Sequence, residues 1–86
     1  VSKVIQDEVQ KTFDYLRMAA KLGFCAAHKI LGREYEKGNF VEKNDSTALD
    51  YYRQAFELGD QAGRQLYLAL DEKLNGNRKR RQRAKK

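Results

Sequence analysis

Apolar residues recur along this chain at intervals of three and four, which is the spacing of one face of an α-helix. Between residues 3 and 22 they fall at Ile5, Val9, Phe13, Leu16 and Ala20. The same spacing predicts a second helix over residues 25–37, a third over 46–58 and a fourth over 61–75. No stretch shows the strict alternation of a half-buried strand, so the pattern predicts an all-α chain.

Residues that end or begin helices separate these segments. Gly23, Gly38 and Gly59 follow the first three helices, and glycine readily adopts the left-handed backbone that closes a helix. In the Asn-Asp-Ser run at 44–46, each residue offers an oxygen that caps the free amides of the third helix. The loop over 38–45 is expected to tuck Phe40 and its neighbour Val41 under the helices.

An internal repeat relates the first and third helices. Residues 12–23, TFDYLRMAAKLG, align with residues 48–59, ALDYYRQAFELG, at an offset of 36 residues without a gap. Six of the twelve aligned positions are identical, and the apolar positions stay in phase. A period of this length accommodates two helices and two short turns. Because each unit has an apolar face that it cannot bury alone, the repeat predicts a short α-solenoid of about four antiparallel helices.

Spaced small, aromatic and glycine residues carry a family resemblance. They are Ala27, Leu31, Gly32, Tyr35, Gly38, Val41, Ala48, Leu49, Tyr51, Tyr52, Ala55, Gly59 and Asp60. From Gly23 to Asp60 the chain resembles one complete Sel-one-like repeat, a branch of the tetratricopeptide-like superfamily. Residues 1–23 resemble the second half of a preceding repeat, and residues 61–75 the first half of a following one. Tyr67 departs from the expected Leu-Gly pair, and this bulkier helix suggests a cap.

The close approach of the helices also follows from the residues themselves. Gly32 and the alanines let two helix backbones come near each other. Tyr51 and Tyr52 are expected to fill the gaps on the two sides of the third helix.

Basic charge is concentrated at the C-terminal end. The segment 78–86, RKRRQRAKK, contains seven of the 18 Lys and Arg, and the other 11 face all 12 Asp and Glu. Residues 1–76 are therefore expected to form the helical repeat domain, and residues 77–86 a flexible basic tail, because like charges repel. The tail is interpreted as a solubilising end, as a site for nucleic acid or another polyanion, or as a contact for an acidic protein. Its charged residues are Arg78, Lys79, Arg80, Arg81, Arg83, Lys85 and Lys86.

Candidate catalytic and metal chemistry is sparse. Cys25 and His28 lie one helical turn apart, but a structural zinc site takes four ligands and the chain has no other Cys or His. Cys25 is expected to be a small packed side chain, and His28 a surface or groove residue. Neither a nucleophile with its base nor a glycine-rich phosphate loop is recognisable, and no apolar run approaches a membrane span of about 18 residues. The sequence predicts neither an enzyme nor a cofactor.

The resemblance implies a scaffold or adaptor that binds another protein, often in bacteria. Helical repeats curve, and the first helix of each pair, here the second and fourth helices, typically lines the concave surface. The polar positions expected there as partner contacts are His28, Lys29, Arg33, Glu36, Arg64, Gln65 and Glu72. The alternative function is an accessory protein that binds nucleic acid or another polyanion through the tail.

Several properties stay open at this stage. The sequence does not identify the partner or the compartment, for which the bacterial cytoplasm and the periplasm are the alternatives. Too few repeats are present for a deep groove, so either further repeats precede Val1 or the apolar end faces pair with another copy.

Overall fold

The computed structural model describes residues 3–84, with side chains from residue 3 to residue 76. It contains four helices: α1 (Lys3–Lys21), α2 (Cys25–Lys37), α3 (Asp45–Glu57) and α4 (Gln61–Ala84). The described residues include no strand, and the helices pack against their neighbours as a short all-α repeat. The predicted fold class is confirmed, and the first three helices agree with their predicted bounds to within one residue.

The fourth helix is longer than predicted. Its end was expected at residue 75, but the helix continues to Ala84. Gly76 does not have the positive φ of Gly23, Gly38 and Gly59, so it continues the helix instead of ending it. A helical glycine costs only about 1 kcal/mol relative to alanine, and the Arg, Lys, Gln and Ala residues that follow are good helix formers. The predicted flexible tail, residues 77–86, lies outside the residues whose side chains are described, so its flexibility stays a prediction.

The helix ends reproduce the 36-residue repeat at atomic level. Gly23 and Gly59 both have φ of 93°, a left-handed conformation that favours glycine. The amide of the residue after each glycine donates to the carbonyl of Ala19 in the first case and Ala55 in the second, at 3.1 Å in both. At the start of α3, Asn44 is the capping residue, and its Oδ1 accepts from the Thr47 amide at 3.1 Å.

Two buried clusters lie on opposite sides of the α2–α3 pair. The first joins α1 to α2 through Phe13, Ala20, Ala27 and Leu31, and the second joins α3 to α4 through Ala48, Tyr52 and Leu70. Tyr51 packs against the first cluster and Tyr52 belongs to the second. The prediction that these two tyrosines fill the gaps on either side of α3 is therefore confirmed.

The α2–α3 crossing depends on the missing side chain of Gly32. A Cβ atom placed there would lie 2.6 Å from Cδ1 of Tyr52, closer than real Cβ atoms approach. The Tyr52 ring occupies that space and is 0% exposed, while its hydroxyl donates to Glu36 Oε1 at 2.8 Å. Burial, together with this hydrogen bond, raises the pKa of Tyr52. The buried polar atom of the tyrosine therefore has its partner.

Adding one methyl group at Gly32 should loosen this crossing. We expect Gly32→Ala to lower the free energy of unfolding by about 1–3 kcal/mol, because overpacking forces Tyr52 or the α2 backbone to move. Urea denaturation followed by circular dichroism measures the change.

Gly76→Ala is the matched control for that substitution. Among the described residues its added Cβ meets the flexible Glu72 side chain, chiefly the carboxylate end, so alanine should be neutral or stabilise by up to about 1 kcal/mol. An equal loss of stability in both variants would contradict the role assigned to the Gly32–Tyr52 contact.

Candidate protein-binding surface

Helices α2 and α4 lie side by side in the repeat. Over the described residues, Cα atoms of α2 and α4 approach within 8 Å, whereas those of α1 and α3 do not. Helices on the inner side of a curved stack lie closer together than those on the outer side. This asymmetry is compatible with the prediction that α2 and α4 line the concave surface, which stays a prediction.

His28 is built into the frame of the repeat. It is 3% exposed, with Nδ1 3.2 Å from the Phe24 carbonyl oxygen and Nε2 3.2 Å from Gln54 Oε1. Its ring therefore connects α2 to α3, and it also lies 6.2 Å from the Tyr51 ring. The expectation of a surface or groove histidine is wrong, because a side chain on α3 provides the polar partner that permits burial.

Lys29 connects α2 to the start of α4. Its Nζ lies 3.1 Å from Asp60 Oδ2, which also accepts from the Gly63 amide at 2.7 Å. The amide hydrogen bond from Gly63, followed by the contact with Lys29, lowers the pKa of Asp60. A carboxylate at this position also interacts favourably with the positive end of the α4 dipole. Lys29 thus supports the geometry of the surface through an internal ion pair.

Four of the predicted contact residues are exposed. Glu36 is half-buried and accepts from Tyr52, whereas the exposed members are Arg33 on α2 and Arg64, Gln65 and Glu72 on α4. Helices α2 and α4 approach each other, and the sharing of one partner-binding surface by these four residues stays a prediction. Two guanidinium groups, one amide and one carboxylate together offer hydrogen-bond donors and acceptors.

Sequence reasoning missed an apolar groove on α1. The groove has a volume of about 410 Å³. It is lined by Val4, Ile5, Glu8, Val9, Thr12, Phe13, Leu16, Ile30, Glu34 and Phe40. Phe40 is 62% exposed rather than tucked under the helices, while Val41 does pack against the first cluster. The signal was present in α1, where apolar residues occupy more than one helical face.

The geometry defines no cofactor site in the part of the chain described. Among those residues, no three or more His, Cys, Asp or Glu side chains are grouped to hold a metal ion. Cys25 is a free, half-buried cysteine, and the ring nitrogens of His28 face Phe24 and Gln54. None of the described helices has both the length and the apolar character needed to cross a membrane.

Stacked helices related by a 36-residue repeat define an α-solenoid repeat protein. The family model of the Sel1 repeat matches residues 2–24 and 26–60, so the chain belongs to the Sel1 repeat family. These repeats generally mediate protein–protein interaction, and the family is a non-enzymatic scaffold family. The match ends before α4 begins. No curated protein and no solved structure matches the chain.

The stability that the Asp60 carboxylate contributes should depend on pH. The lowered pKa of Asp60 means that its ionised form stabilises the fold above the unfolded value of 3.8, and that this contribution is lost as the pH falls through the folded value. Asp60→Asn keeps an oxygen for the Gly63 amide but removes the charge. We expect the Tm of this variant to lie below that of the wild type at pH 7, and the difference to shrink as the pH falls below 3.8 and through the lowered pKa of Asp60.

Thermal melts followed by circular dichroism between about pH 2 and pH 7 test this expectation. Asp14→Asn is the control, because Asp14 is exposed and its described partners, Gln10 and Arg17, lie on its own helix. A Tm difference for Asp60→Asn that persists unchanged at low pH would show that the charge is not the stabilising feature.

Proposed function

We propose that this chain is a scaffold or adaptor module that holds a partner protein on the surface formed by α2 and α4. The observation that carries the proposal is that some polar residues of α2 and α4 connect the helices while others are exposed. His28, Lys29 and Glu36 make internal contacts that connect the helices, while Arg33 and Arg64 stay exposed. A surface whose backbone is held in this way binds with little ordering cost.

The exposed groups suggest the chemistry of the partner. Arginine presents a planar fork of donors that matches a carboxylate with two parallel hydrogen bonds. Arg33 and Arg64, on adjacent helices, would therefore recognise an acidic peptide segment, with Gln65 and Glu72 setting its register. The module acts as a rigid support and takes no part in bond making.

Selection of peptides tests this proposal without knowledge of the natural partner. A displayed random peptide library is selected on the intact chain, and the affinities of the enriched peptides are measured by fluorescence anisotropy. We expect Asp and Glu to be enriched in the selected peptides. The single variants Arg33→Ala and Arg64→Ala should each bind these peptides at least about tenfold more weakly. Tenfold corresponds to ~1.4 kcal/mol, which is the size expected for a charged hydrogen bond.

Arg53→Ala is the matched control for the two arginine substitutions. Arg53 is exposed on α3 and pairs with Asp50 on the same helix, away from the α2–α4 surface. Equal affinity of the selected peptides for Arg33→Ala, Arg64→Ala and Arg53→Ala would refute the proposed surface.

A second candidate function is the binding of nucleic acid or another polyanion through residues 78–86. The continuation of α4 to Ala84 favours it, because most of the basic residues then follow one another along a helix that begins inside the repeat. A high local density of Lys and Arg in the sequence suits a phosphate backbone, and such binding would tolerate different base sequences.

Salt dependence separates this candidate from the first. A single-stranded DNA oligonucleotide is titrated at low and moderate salt with the intact chain and with a chain ending at Asn77. Polyanion binding predicts a log–log slope of about 0.7 per phosphate contact and its loss in the shortened chain. No binding by the intact chain at low salt would exclude this function.

A further inference from the structure

We infer that His28 is a proton-binding site that makes the junction between α2 and α3 sensitive to pH. In the folded chain its buried ring carries a proton on both nitrogens. It gives up one of them within the range of about pH 5 to 8 in which histidine side chains change charge. This property belongs to the internal frame of the repeat and does not depend on the function proposed above.

The ring faces a hydrogen-bond acceptor at each of its two nitrogens. Nδ1 of His28 lies 3.2 Å from the carbonyl oxygen of Phe24, which has no proton to donate. Nε2 lies 3.2 Å from Oε1 of Gln54 on α3. A neutral imidazole has a single N–H, so it donates to one of these oxygens and sets a lone pair against the other. Only the doubly protonated ring donates to both.

Asp50 decides which way the Gln54 amide points. The amide nitrogen of Gln54 donates to Asp50 Oδ2 at 3.2 Å, while Arg53 donates to Oδ1 of the same carboxylate. An ionised carboxylate only accepts hydrogen bonds. Turning the amide over would offer His28 a donor, but it would also set Gln54 Oε1 against the Asp50 carboxylate. The amide therefore keeps its oxygen toward His28 and relays to the ring a preference for the charged form.

Burial raises the cost of leaving either ring nitrogen without a partner. The His28 side chain is 3% exposed, so bulk water does not replace a missing partner. Burying the charged ring has its own cost, because the charge loses its hydration. Two hydrogen bonds from a charged donor offset that cost, since such bonds are stronger than those between neutral groups. The arrangement of acceptors therefore favours the doubly protonated ring.

The charges around the ring are nearly balanced. His28 lines a groove between α1 and α3, and its ring also lies 6.2 Å from that of Tyr51. The charged groups that line this groove with it are Arg17 and Lys21 from α1 and Asp50 and Glu57 from α3. The two cations disfavour a positive ring and the two carboxylates favour it. The hydrogen-bond geometry then decides the protonation state.

Proton binding of this kind is linked to folding. The unfolded chain lacks the two fixed acceptors, so its His28 holds the second proton less tightly. The stabilisation is fully present below the pH at which the unfolded chain titrates, and it is lost as the pH rises through the titration of the folded chain. Because the ring connects α2 to α3, loss of the proton removes a hydrogen bond across the centre of the repeat.

The ring can be observed directly, because the sequence contains a single histidine. The intact chain, prepared without a histidine tag, is titrated between about pH 5 and pH 8 in buffer and in urea. Long-range ¹H–¹⁵N NMR spectra report the protonation of each ring nitrogen. We expect the titration midpoint of the folded chain to lie about half a pH unit or more above that of the unfolded chain. A folded midpoint at or below the unfolded one would overturn the inference, because the ring would then be neutral and the Gln54 amide reversed.

Two substitutions on α3 change the relay without altering His28. Gln54→Glu sets a carboxylate against Nε2 and should raise the folded midpoint further. Asp50→Asn removes the carboxylate that orients the amide and should lower the midpoint toward that of the unfolded chain. Asp7→Asn is the matched control, since Asp7 is exposed near the start of α1, and it should leave the midpoint unchanged. An unchanged midpoint in Gln54→Glu, or equal shifts in Asp50→Asn and Asp7→Asn, would contradict the relay.

Thermal melts followed by circular dichroism measure the linked stability. His28→Gln is the comparison, because its amide forms hydrogen bonds but does not titrate. As the pH rises from about 5 to about 8, we expect the Tm of the wild type to fall relative to that of this variant. Taking the difference removes the contribution of the other titrating groups. A difference that stays constant over this range would show that the histidine is purely structural.

Discussion

The packing of Tyr52 into the space beside Gly32 holds the repeat together. This one side chain touches the α2 backbone, belongs to the cluster that α4 closes through Leu70, and donates its hydroxyl to Glu36. Three of the four helices therefore depend on a residue that is 0% exposed. An aromatic ring can bury this much surface only because its polar atom has a partner and because glycine removes the competing side chain.

Around that contact, some polar side chains connect helices and others are exposed. His28 reaches Gln54 on α3, and Lys29 reaches the carboxylate of Asp60 that caps α4. These cross-helix contacts are half-buried or better, so they limit the relative movement of the helices more than pairs within one helix do. In the proposed function, recognition by Arg33 and Arg64 would start from helices whose relative positions these contacts hold.

The same stacking principle leaves the two ends unequal. A repeat buries its apolar face only against another repeat, so the outer faces of α1 and α4 keep exposed residues such as Tyr15 and Leu68. Tyr15 lies on the helix that corresponds to α3 and Leu68 on the helix that corresponds to α2, so the two faces come from different halves of the repeat.

The helices, their order and the sides of α3 on which Tyr51 and Tyr52 pack were predictable from the sequence alone. Glycine stops and apolar spacing are local signals, so no knowledge of tertiary contacts was needed. It did not foresee that α4 continues past Gly76, since a glycine ends a helix only when the following chain turns away. Nor did it foresee the burial of His28, whose partner Gln54 lies 26 positions along the chain. Periodicity reports which face is apolar, but only the packed structure decides which polar side chains meet across helices and which stay free.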